Sequence, residues 1–441
     1  MKLSLLSTGV IASASQVASA SLASKVNSAL TPFGYTPQVL RTFLEPIDVL
    51  VGRNSYITRE GAELQLNGER WTAGGANVYW LGLDENVVPP PGEPFYEPTN
   101  SSYPTKGRIT EVMNTMQALG GRTIRSQSLG VSVGNPLSLM PALGEWNEEA
   151  FETIDWTMYQ ARQHGIRIQM PLVDNYDYYH GGKFNFLRFR GIDIDSEADV
   201  LDPRVQQFYT NETIIGDFKS YIKKLITHVN PYTGLTYAED PTVFAFETGN
   251  ELSGPIFGDM DVPIEWTSDI LNFVKDLAPH KLMVDGTYGV NQTHLDIPVV
   301  DIFSDHFYGP DNEKLQKGID LVESVDKVYM VGEFDWTGNN PEADTLDDFF
   351  GLIEDRQELP NPVVSGTQLW SIFTHNVPDC ESYVDHSDGY TLQYGNPANT
   401  EQNNTQIATV RKHLHRLKGE TVGDYLPAVP CPGPLAEYTY E

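Results

Sequence analysis

Two glutamates stand at the ends of short apolar runs in this 441-residue chain, Glu251 just beyond the run 243–247 and Glu333 at the close of the run 328–333. A pair of carboxyl groups can cleave a glycosidic bond when the two stand roughly 5 to 5.5 Å apart, since one attacks the anomeric carbon while the other protonates the leaving oxygen. The chemistry therefore depends on a fold that brings both glutamates to one pocket.

Eight apolar runs alternate with longer polar or amphipathic stretches. This alternation predicts an α/β fold, a (β/α)8 TIM barrel in a single domain with long insertions after some strands. The predicted strands are 71–81, 122–126, 166–173, 243–247, 281–285, 302–306, 328–333 and 367–373, and the predicted helices are 105–119, 148–164, 213–228, 266–277, 315–324 and 346–357. A hairpin over 56–71 is expected to cap the bottom of the barrel, and the insertions 84–103 and 174–202 are expected to wall a site.

Polar and aromatic residues terminate most of these runs, at the end of the barrel where such folds place their active sites. Besides the two glutamates they are Arg125, Asn175, Asn250, His306, Tyr308 and Trp370. Aromatic side chains are natural platforms for the apolar faces of sugar rings, and Tyr79, Trp80 and Trp336 are further candidates for substrate contact.

In order and placement, Arg125, Asn250-Glu251, His306-x-Tyr308, Glu333 and Trp370 resemble glycoside hydrolase family 5 of clan A, over roughly residues 70 to 375. The stretches Gly75-Ala-Asn-Val-Tyr-Trp80 and Met170-Pro-Leu-Val-Asp-Asn175 resemble fungal endo-β-1,4-mannanases. The resemblance implies that Glu251 is the general acid/base and Glu333 the nucleophile. It also implies that Arg125 and Tyr308 hold Glu333 ionised, that Asn250 binds the sugar 2-hydroxyl, and that His306 lies beside Glu251.

One departure from the family pattern follows the acid/base. The family's mannanases commonly continue Asn-Glu with Pro-Arg, whereas this chain reads Leu252-Ser253-Gly254. Endo-acting cleavage of β-1,4-mannan or glucomannan is the first expectation. An exo-β-mannosidase, a β-glucanase, a transglycosylase that uses the same residues, and a non-catalytic carbohydrate-binding barrel stay open.

The amino-acid composition limits the classes of molecule that this protein is expected to bind. Sixty acidic against 29 basic residues give a formal charge of −31, which would repel nucleic acid and anionic lipid. A neutral β-linked polysaccharide or oligosaccharide is the expected partner. We expect a monomer without cofactor, metal ion or membrane contact.

The N-terminal segment and several scattered motifs predict secretion. Residues 1–20 have the pattern of a signal peptide ending in Ala18-Ser19-Ala20, residues 21–45 are assigned to an arm or propeptide, and 46–441 to the catalytic domain. Cys380 and Cys431 could form a disulfide in an oxidising compartment, or remain as two buried thiols. Glycosylation sequons occur at Asn100, Asn211, Asn291 and Asn403.

Overall fold

Eight parallel strands close into a barrel in the computed structural model, which describes residues 54–195, 202–253 and 262–432. In chain order the strands are β1 (Ile57–Glu60), β2 (Glu63–Leu66), β3 (Glu69–Arg70), β4 (Gly75–Asn77), β5 (Phe95–Tyr96), β6 (Ser101–Ser102), β7 (Thr123–Arg125), β8 (Arg167–Pro171), β9 (Val243–Glu247), β10 (Leu282–Asp285), β11 (Ile302–Phe307), β12 (Val328–Asp335), β13 (Val364–Trp370), β14 (Ile372–Phe373), β15 (His375–Asn376), β16 (Asp379–Tyr383) and β17 (Leu392–Gln393). The barrel runs β4, β7, β8, β9, β10, β11, β12, β13 and back to β4. The predicted TIM barrel is confirmed.

Long helices cover the outside of the barrel, and short helices lie in the connecting loops. They are α1 (Lys106–Leu119), α2 (Gln127–Gly130), α3 (Phe151–His164), α4 (Lys183–Phe189), α5 (Gln207–Thr210), α6 (Glu212–Ile226), α7 (Ile264–Leu277), α8 (Asn312–Glu323), α9 (Leu346–Gln357) and α10 (Glu401–Arg416). In α6 the Asn211 side chain accepts a hydrogen bond from the Thr213 amide, which satisfies a free N–H of the first turn. The buried face of α6 repeats at helical spacing through Ile214, Phe218, Tyr221, Ile222 and Leu225.

The predicted boundaries agree with the structure to within a few residues for most elements. The first and last barrel strands differ most: β4 covers only Gly75–Asn77 of the predicted run 71–81, and β13 begins at Val364 and ends at Trp370. The long helix after the last barrel strand, α10, was not among the predicted helices. Its residues are mostly polar, and its buried side is limited to a narrow row that includes Ile407, Val410 and Leu414.

The predicted hairpin is a three-stranded antiparallel sheet, β1–β2–β3. Its apolar residues Ile57 and Leu64 are buried with Trp71 against residues of the barrel strands, including Phe244 and Leu282. Since Phe244 is the second residue of β9 and Leu282 the first of β10, the sheet closes the end of the barrel opposite the strand termini that carry the candidate site. This capping role agrees with the expectation from sequence.

Cys380 and Cys431 form a disulfide with their Cα atoms 5.8 Å apart, which fastens the C-terminal tail to β16. The predicted signal peptide and arm, and residues 46–53 of the predicted domain, lie outside the described residues. In the part of the chain that the structure describes, no helix has both the length and the apolar character needed to cross a membrane.

The four sequon asparagines lie at turns and helix starts. Asn100 is exposed in a left-handed turn, Asn211 and Asn291 cap helical turns, and Asn403 takes part in the capping box of α10. Their glycosylation stays a prediction.

Candidate active site

Glu251 and Glu333 meet at the C-terminal end of the barrel. Glu333 lies within β12, and Glu251 lies four residues beyond the end of β9. A carboxylate oxygen of each, together with His306 Nδ1, lie within 4.8 Å of one another. Both glutamates are buried, with 8% and 2% of their surface exposed. The two residues, far apart in the chain, thus share one site, as the sequence predicted.

Arg125 fixes the base of this site from the end of β7. Its guanidinium is fully buried and donates to both oxygens of Glu247, to Glu333 Oε1 at 2.7 Å and to Asn250 Oδ1 at 2.9 Å. Burial alone lowers the pKa of Arg125, but Glu247 and Glu333 outweigh burial and raise it. Arg125 is therefore a permanent cation beside Glu333.

The second oxygen of Glu333 accepts a hydrogen bond from the Tyr308 hydroxyl. Complete burial raises the pKa of Glu333, and the nearby negative charge of Glu251 raises it further. His306, Arg125 and Tyr308 lower it, but the pKa of Glu333 still lies above its usual range. Protonation of Glu251 removes one of the causes of that rise. A proton on Glu251 and an ionised Glu333 therefore favour each other.

The hydrogen-bond partners of Glu251 are titratable side chains, whereas Glu333 has the permanent cation Arg125 beside it. His306 Nδ1 lies 2.5 Å from Glu251 Oε1, and the Tyr176 hydroxyl donates to Oε2 at 2.5 Å. Burial raises the pKa of Glu251, but His306 and Tyr176 lower it further than burial raises it. Burial lowers the pKa of His306, and the two glutamates reverse this and raise it. The Glu251–His306 pair thus holds a proton that either residue can carry.

The backbone at Glu251 is strained. Its φ of 51° lies in the left-handed region, which glutamate rarely adopts. Hydrogen bonds on both sides hold this conformation: the Asn250 amide donates to the Val173 carbonyl at 2.8 Å, and the Leu252 amide donates to the Gly286 carbonyl at 2.9 Å. The neighbouring barrel strands thereby aim the Glu251 carboxyl at the site.

Within the described ranges, two clusters bring together residue types that can bind metal ions. Glu251, His306 and Glu333 are one, but Arg125, Tyr176 and Tyr308 already donate hydrogen bonds to its carboxylates, and a buried guanidinium opposes a cation. In the second, formed by Glu111, His375 and Cys431, the sulfur belongs to the disulfide. The hydrogen bonds around Glu251, His306 and Glu333 therefore suit proton transfer.

A pocket of about 320 Å³, at the small end of the range for ligand sites, lies next to the glutamates, since its walls include Asn250, the neighbour of Glu251, and Tyr308, which donates to Glu333. Loops that follow six barrel strands line it. The lining residues are Tyr79, Glu85, Gln127, Asp174, Tyr178, Tyr179, His180, Asn250, Tyr308, Trp370, His386, Asp388 and Tyr390. The insertion after β8 forms a wall of the pocket, and that after β4 contributes Glu85, as expected from their lengths.

Trp370 and Tyr79 line this pocket with their rings stacked, at a centroid distance of 5.5 Å and an angle of 8°. Trp370 Nε1 donates to Asp388 Oδ2 at 2.8 Å, which orients the indole. Trp80 and Trp336 instead are buried, and their Nε1 atoms donate to the carbonyls of Ile372 and Tyr390. The structure therefore places these two tryptophans in the core and not at the pocket.

The structure does not bring Asn175 into the pocket either. Its side chain is fully buried and accepts a hydrogen bond from Lys183 Nζ, so it supports the loop after β8. Asn250 does line the pocket, with its amide held by Arg125 and by Asp174 Oδ1 at 3.2 Å. One N–H of Asn250 stays available for a ligand.

Several residues of the site were not predicted in these roles. Glu247 is the partner of Arg125, and a carboxylate at the end of an otherwise apolar run was a usable signal for it. Tyr176 lies in the insertion 174–202 and donates to Glu251. The pocket residues Glu85, Gln127, His386, Asp388 and Tyr390 belong to loops whose course is not readable from a local pattern.

The sequence has relatives among known proteins. The model of the family described as GH family 5 beta-mannosidase-like matches residues 54–308. Mannan endo-1,4-beta-mannosidase 1 of Arabidopsis thaliana is 26% identical over 57% of this chain and 57% of its own length, and the protein of the same name from Oryza sativa subsp. japonica is 27% identical over 55% and 52%. The chain spans about half the length of the curated relatives it matches.

Solved structures show the same fold. The glycoside hydrolase family 5 mannosidase from Rhizomucor miehei superposes with a TM-score of 0.63 at 18% identity, over 83% of this chain and 98% of that one. The endo-beta-1,4-mannanase from Thermotoga petrophila superposes with a TM-score of 0.60 at 20% identity, over 81% and 79%.

Proposed function

The chain belongs to the GH family 5 beta-mannosidase-like family, and on that premise we propose that it hydrolyses a β-1,4-linked mannan or glucomannan with net retention. The observation that carries the proposal is the pair of buried carboxyl groups, with oxygens of Glu251 and Glu333 within 4.8 Å of each other. This separation suits direct attack by one carboxylate. An inverting reaction would need roughly 6.5 to 9.5 Å to accommodate a water molecule between the groups.

In the first step, an oxygen of Glu333 forms a bond to the anomeric carbon. The bond from that carbon to the glycosidic oxygen breaks, and its electron pair leaves with the oxygen, which takes a proton from Glu251. Arg125 and Tyr308 orient Glu333 through its two oxygens. The released sugar chain departs, and the remaining sugar is esterified to Glu333.

In the second step, Glu251 accepts a proton from water as the water oxygen bonds to the anomeric carbon. The ester bond breaks, its electron pair returns to Glu333, and two inversions give net retention. The contact with His306 at 2.5 Å supports both roles of Glu251, because the imidazole can share the proton in either step.

The choice of mannan is supported by the names of the relatives, which are mannan endo-1,4-beta-mannosidases. A neutral polymer also suits the charge of −31 and a pocket whose walls carry several carboxylates beside stacked aromatic rings. Endo action is the first choice of cleavage mode, and we propose that the protein acts as a monomer.

Secretion and N-glycosylation are proposals as well. The disulfide between Cys380 and Cys431 supports an oxidising compartment, and the four sequons are consistent with passage through a eukaryotic secretory pathway.

Product analysis on mannan, glucomannan, cellulose and mannobiose tests the proposal, with NMR identifying the first anomer released. We expect the β-anomer first and a range of oligosaccharides from mannan. Mannose alone, also released from mannobiose, would indicate exo action, and a preference for cellulose would indicate a β-glucanase. An α-anomer as first product would contradict retention. Binding without hydrolysis of any of these glycans would identify a non-catalytic carbohydrate-binding barrel.

A further inference from the structure

Gln127 is a buried amide in the pocket wall that the proposed chemistry does not use. It begins α2 just after β7, is 1% exposed and lines the pocket. Neither its Oε1 nor its Nε2 has a hydrogen-bond partner among the described residues. Burying an unpaired amide is unfavourable, and native proteins rarely do so without a functional reason.

His180 lines the same pocket and is in a similar state. Its Nε2 lies 2.9 Å from Asp174 Oδ2, while its Nδ1 is buried and has no partner within the described ranges. Because a carboxylate only accepts, Nε2 carries the hydrogen in the neutral ring and Nδ1 presents a lone pair. The Asp174 contact therefore turns His180 into an acceptor.

Glu85 adds a carboxylate. It is partly buried in the pocket wall. Burial raises the pKa of Glu85, and Glu85 lines the same pocket as His180 and Gln127. Glu85, Gln127 and His180, here called the polar recess, together present acceptors and one NH₂ donor, the groups that sugar hydroxyls pair with.

The location of the polar recess separates it from the reacting centre. Its residues follow β4, β7 and β8, whereas the two glutamates follow β9 and lie in β12. The strand order places β4, β7 and β8 together in one arc of the barrel between β12 and β9. A sugar ring held by Asn250, Tyr308 and Trp370 over the glutamates would therefore have this arc beside it.

We propose that the polar recess binds the hydroxyl groups of a second sugar unit, next to the unit that is cleaved, and so sets the preference for oligosaccharides over single glycosides. The inference rests on the proposed glycoside hydrolase function and assigns specificity to Gln127, His180 and Glu85. An amide kept buried and unpaired for a ligand makes the free protein less stable than an apolar side chain of the same length would.

The test compares Gln127→Met and Glu85→Gln with the wild type on 4-nitrophenyl β-mannoside and on mannotetraose. We expect kcat/KM for mannotetraose to fall about tenfold in each variant, as for the loss of one buried hydrogen bond, and kcat/KM for the aryl glycoside to change less than about twofold. The melting temperature of Gln127→Met should equal or exceed that of the wild type. Gln117→Met, at an exposed site at the end of α1, is the matched control and should change neither activity nor binding.

Equal losses on both substrates, or no loss on mannotetraose, would overturn the assignment. A lower melting temperature of Gln127→Met would also overturn it, because it would show that Gln127 stabilises the fold. A binding measurement distinguishes failure of this proposal from failure of the proposed hydrolytic function. In the Glu333→Gln background, calorimetry with mannotetraose and cellotetraose should show affinity that Gln127→Met weakens about tenfold, even if the wild type hydrolysed neither. If neither oligosaccharide binds, the assignment of sugar binding to the polar recess is wrong.

Discussion

The guanidinium of Arg125 and the carboxylate of Glu247 lie side by side inside the barrel, joined by two hydrogen bonds of 2.8 and 2.9 Å. Neither residue is more than 1% exposed. The remaining N–H groups of Arg125 are thereby directed at Glu333, Asn250 and Asn77. Glu247 is thus a positioning residue, since it reaches the candidate nucleophile only through Arg125.

Glu247→Gln should lower the free energy of unfolding by about 3 kcal/mol, because it removes the negative partner of a buried cation. Activity should fall as well, since Arg125 loses its alignment on Glu333. Urea denaturation measures the first effect. Glu148→Gln breaks an exposed ion pair with Lys224 and should cost no more than about 0.5 kcal/mol. A loss in Glu247→Gln as small as in this control would contradict the argument.

Replacement of the two glutamates by alanine should give distinguishable kinetics. Glu333→Ala should be inactive on every substrate, because no carboxylate remains to attack. Glu251→Ala should be slow on mannan but should keep much of its activity on aryl glycosides with good leaving groups, which need little protonation. Initial rates over a series of aryl leaving groups measure this difference. Hydrolysis by Glu333→Ala at the parent rate would refute the proposed nucleophile.

The pH dependence should report the Glu251–His306 pair. Burial lowers the pKa of His306, but the two glutamates raise it above its usual value near 6.5, so the ring keeps its proton at pH 6.5 and loses it only at higher pH. The alkaline limb of kcat/KM should therefore lie above pH 6.5. In His306→Gln the proton depends on a carboxyl group alone, and the limb should move down by about one unit or more. An unmoved limb would exclude His306 from the proton transfer.

Two tryptophans predicted to contact substrate should respond differently to mutation. Trp370→Ala removes a ring stacked on Tyr79 in the pocket and should raise KM about tenfold with little loss of stability. Trp80→Ala empties a fully buried site and should lower the free energy of unfolding by about 3 to 5 kcal/mol. Steady-state kinetics and denaturant titration of both variants check this contrast. The reverse pattern would place Trp80, not Trp370, at the sugar.

Removal of the disulfide should act on stability alone. Cys380 and Cys431 are separated by 51 positions, and a cross-link over a loop of that length typically contributes about 2 to 4 kcal/mol. The double variant Cys380→Ser, Cys431→Ser should unfold at correspondingly lower denaturant concentration. Its kcat should stay near the wild-type value because neither cysteine lines the pocket. A large loss of kcat at full folding would show a link to the site that the contacts do not indicate.

Much of the architecture was predictable because its signals are local. The run 243–247 became β9 with the same bounds, and α9 (Leu346–Gln357) has the predicted ends. Both elements were predictable from the spacing of their apolar residues and from the flanking residues, at which a strand or a helix ends. The helix α10 was missed because its apolar positions are few, so only packing between α1 and α9 makes them a buried face.

The sequence by itself determined the barrel and the residues at its strand ends, since strand periodicity and chain order place Arg125, Glu251, His306 and Glu333 at one end of a parallel sheet. The tertiary structure alone decided which side chains meet there. Burial and hydrogen bonding depend on neighbours from distant loops, so the sequence could not show that Trp336 and Asn175 lie in the interior while Gln127 faces the pocket. For the same reason, the proton shared by Glu251 and His306 follows from a contact across 55 positions that no local pattern records.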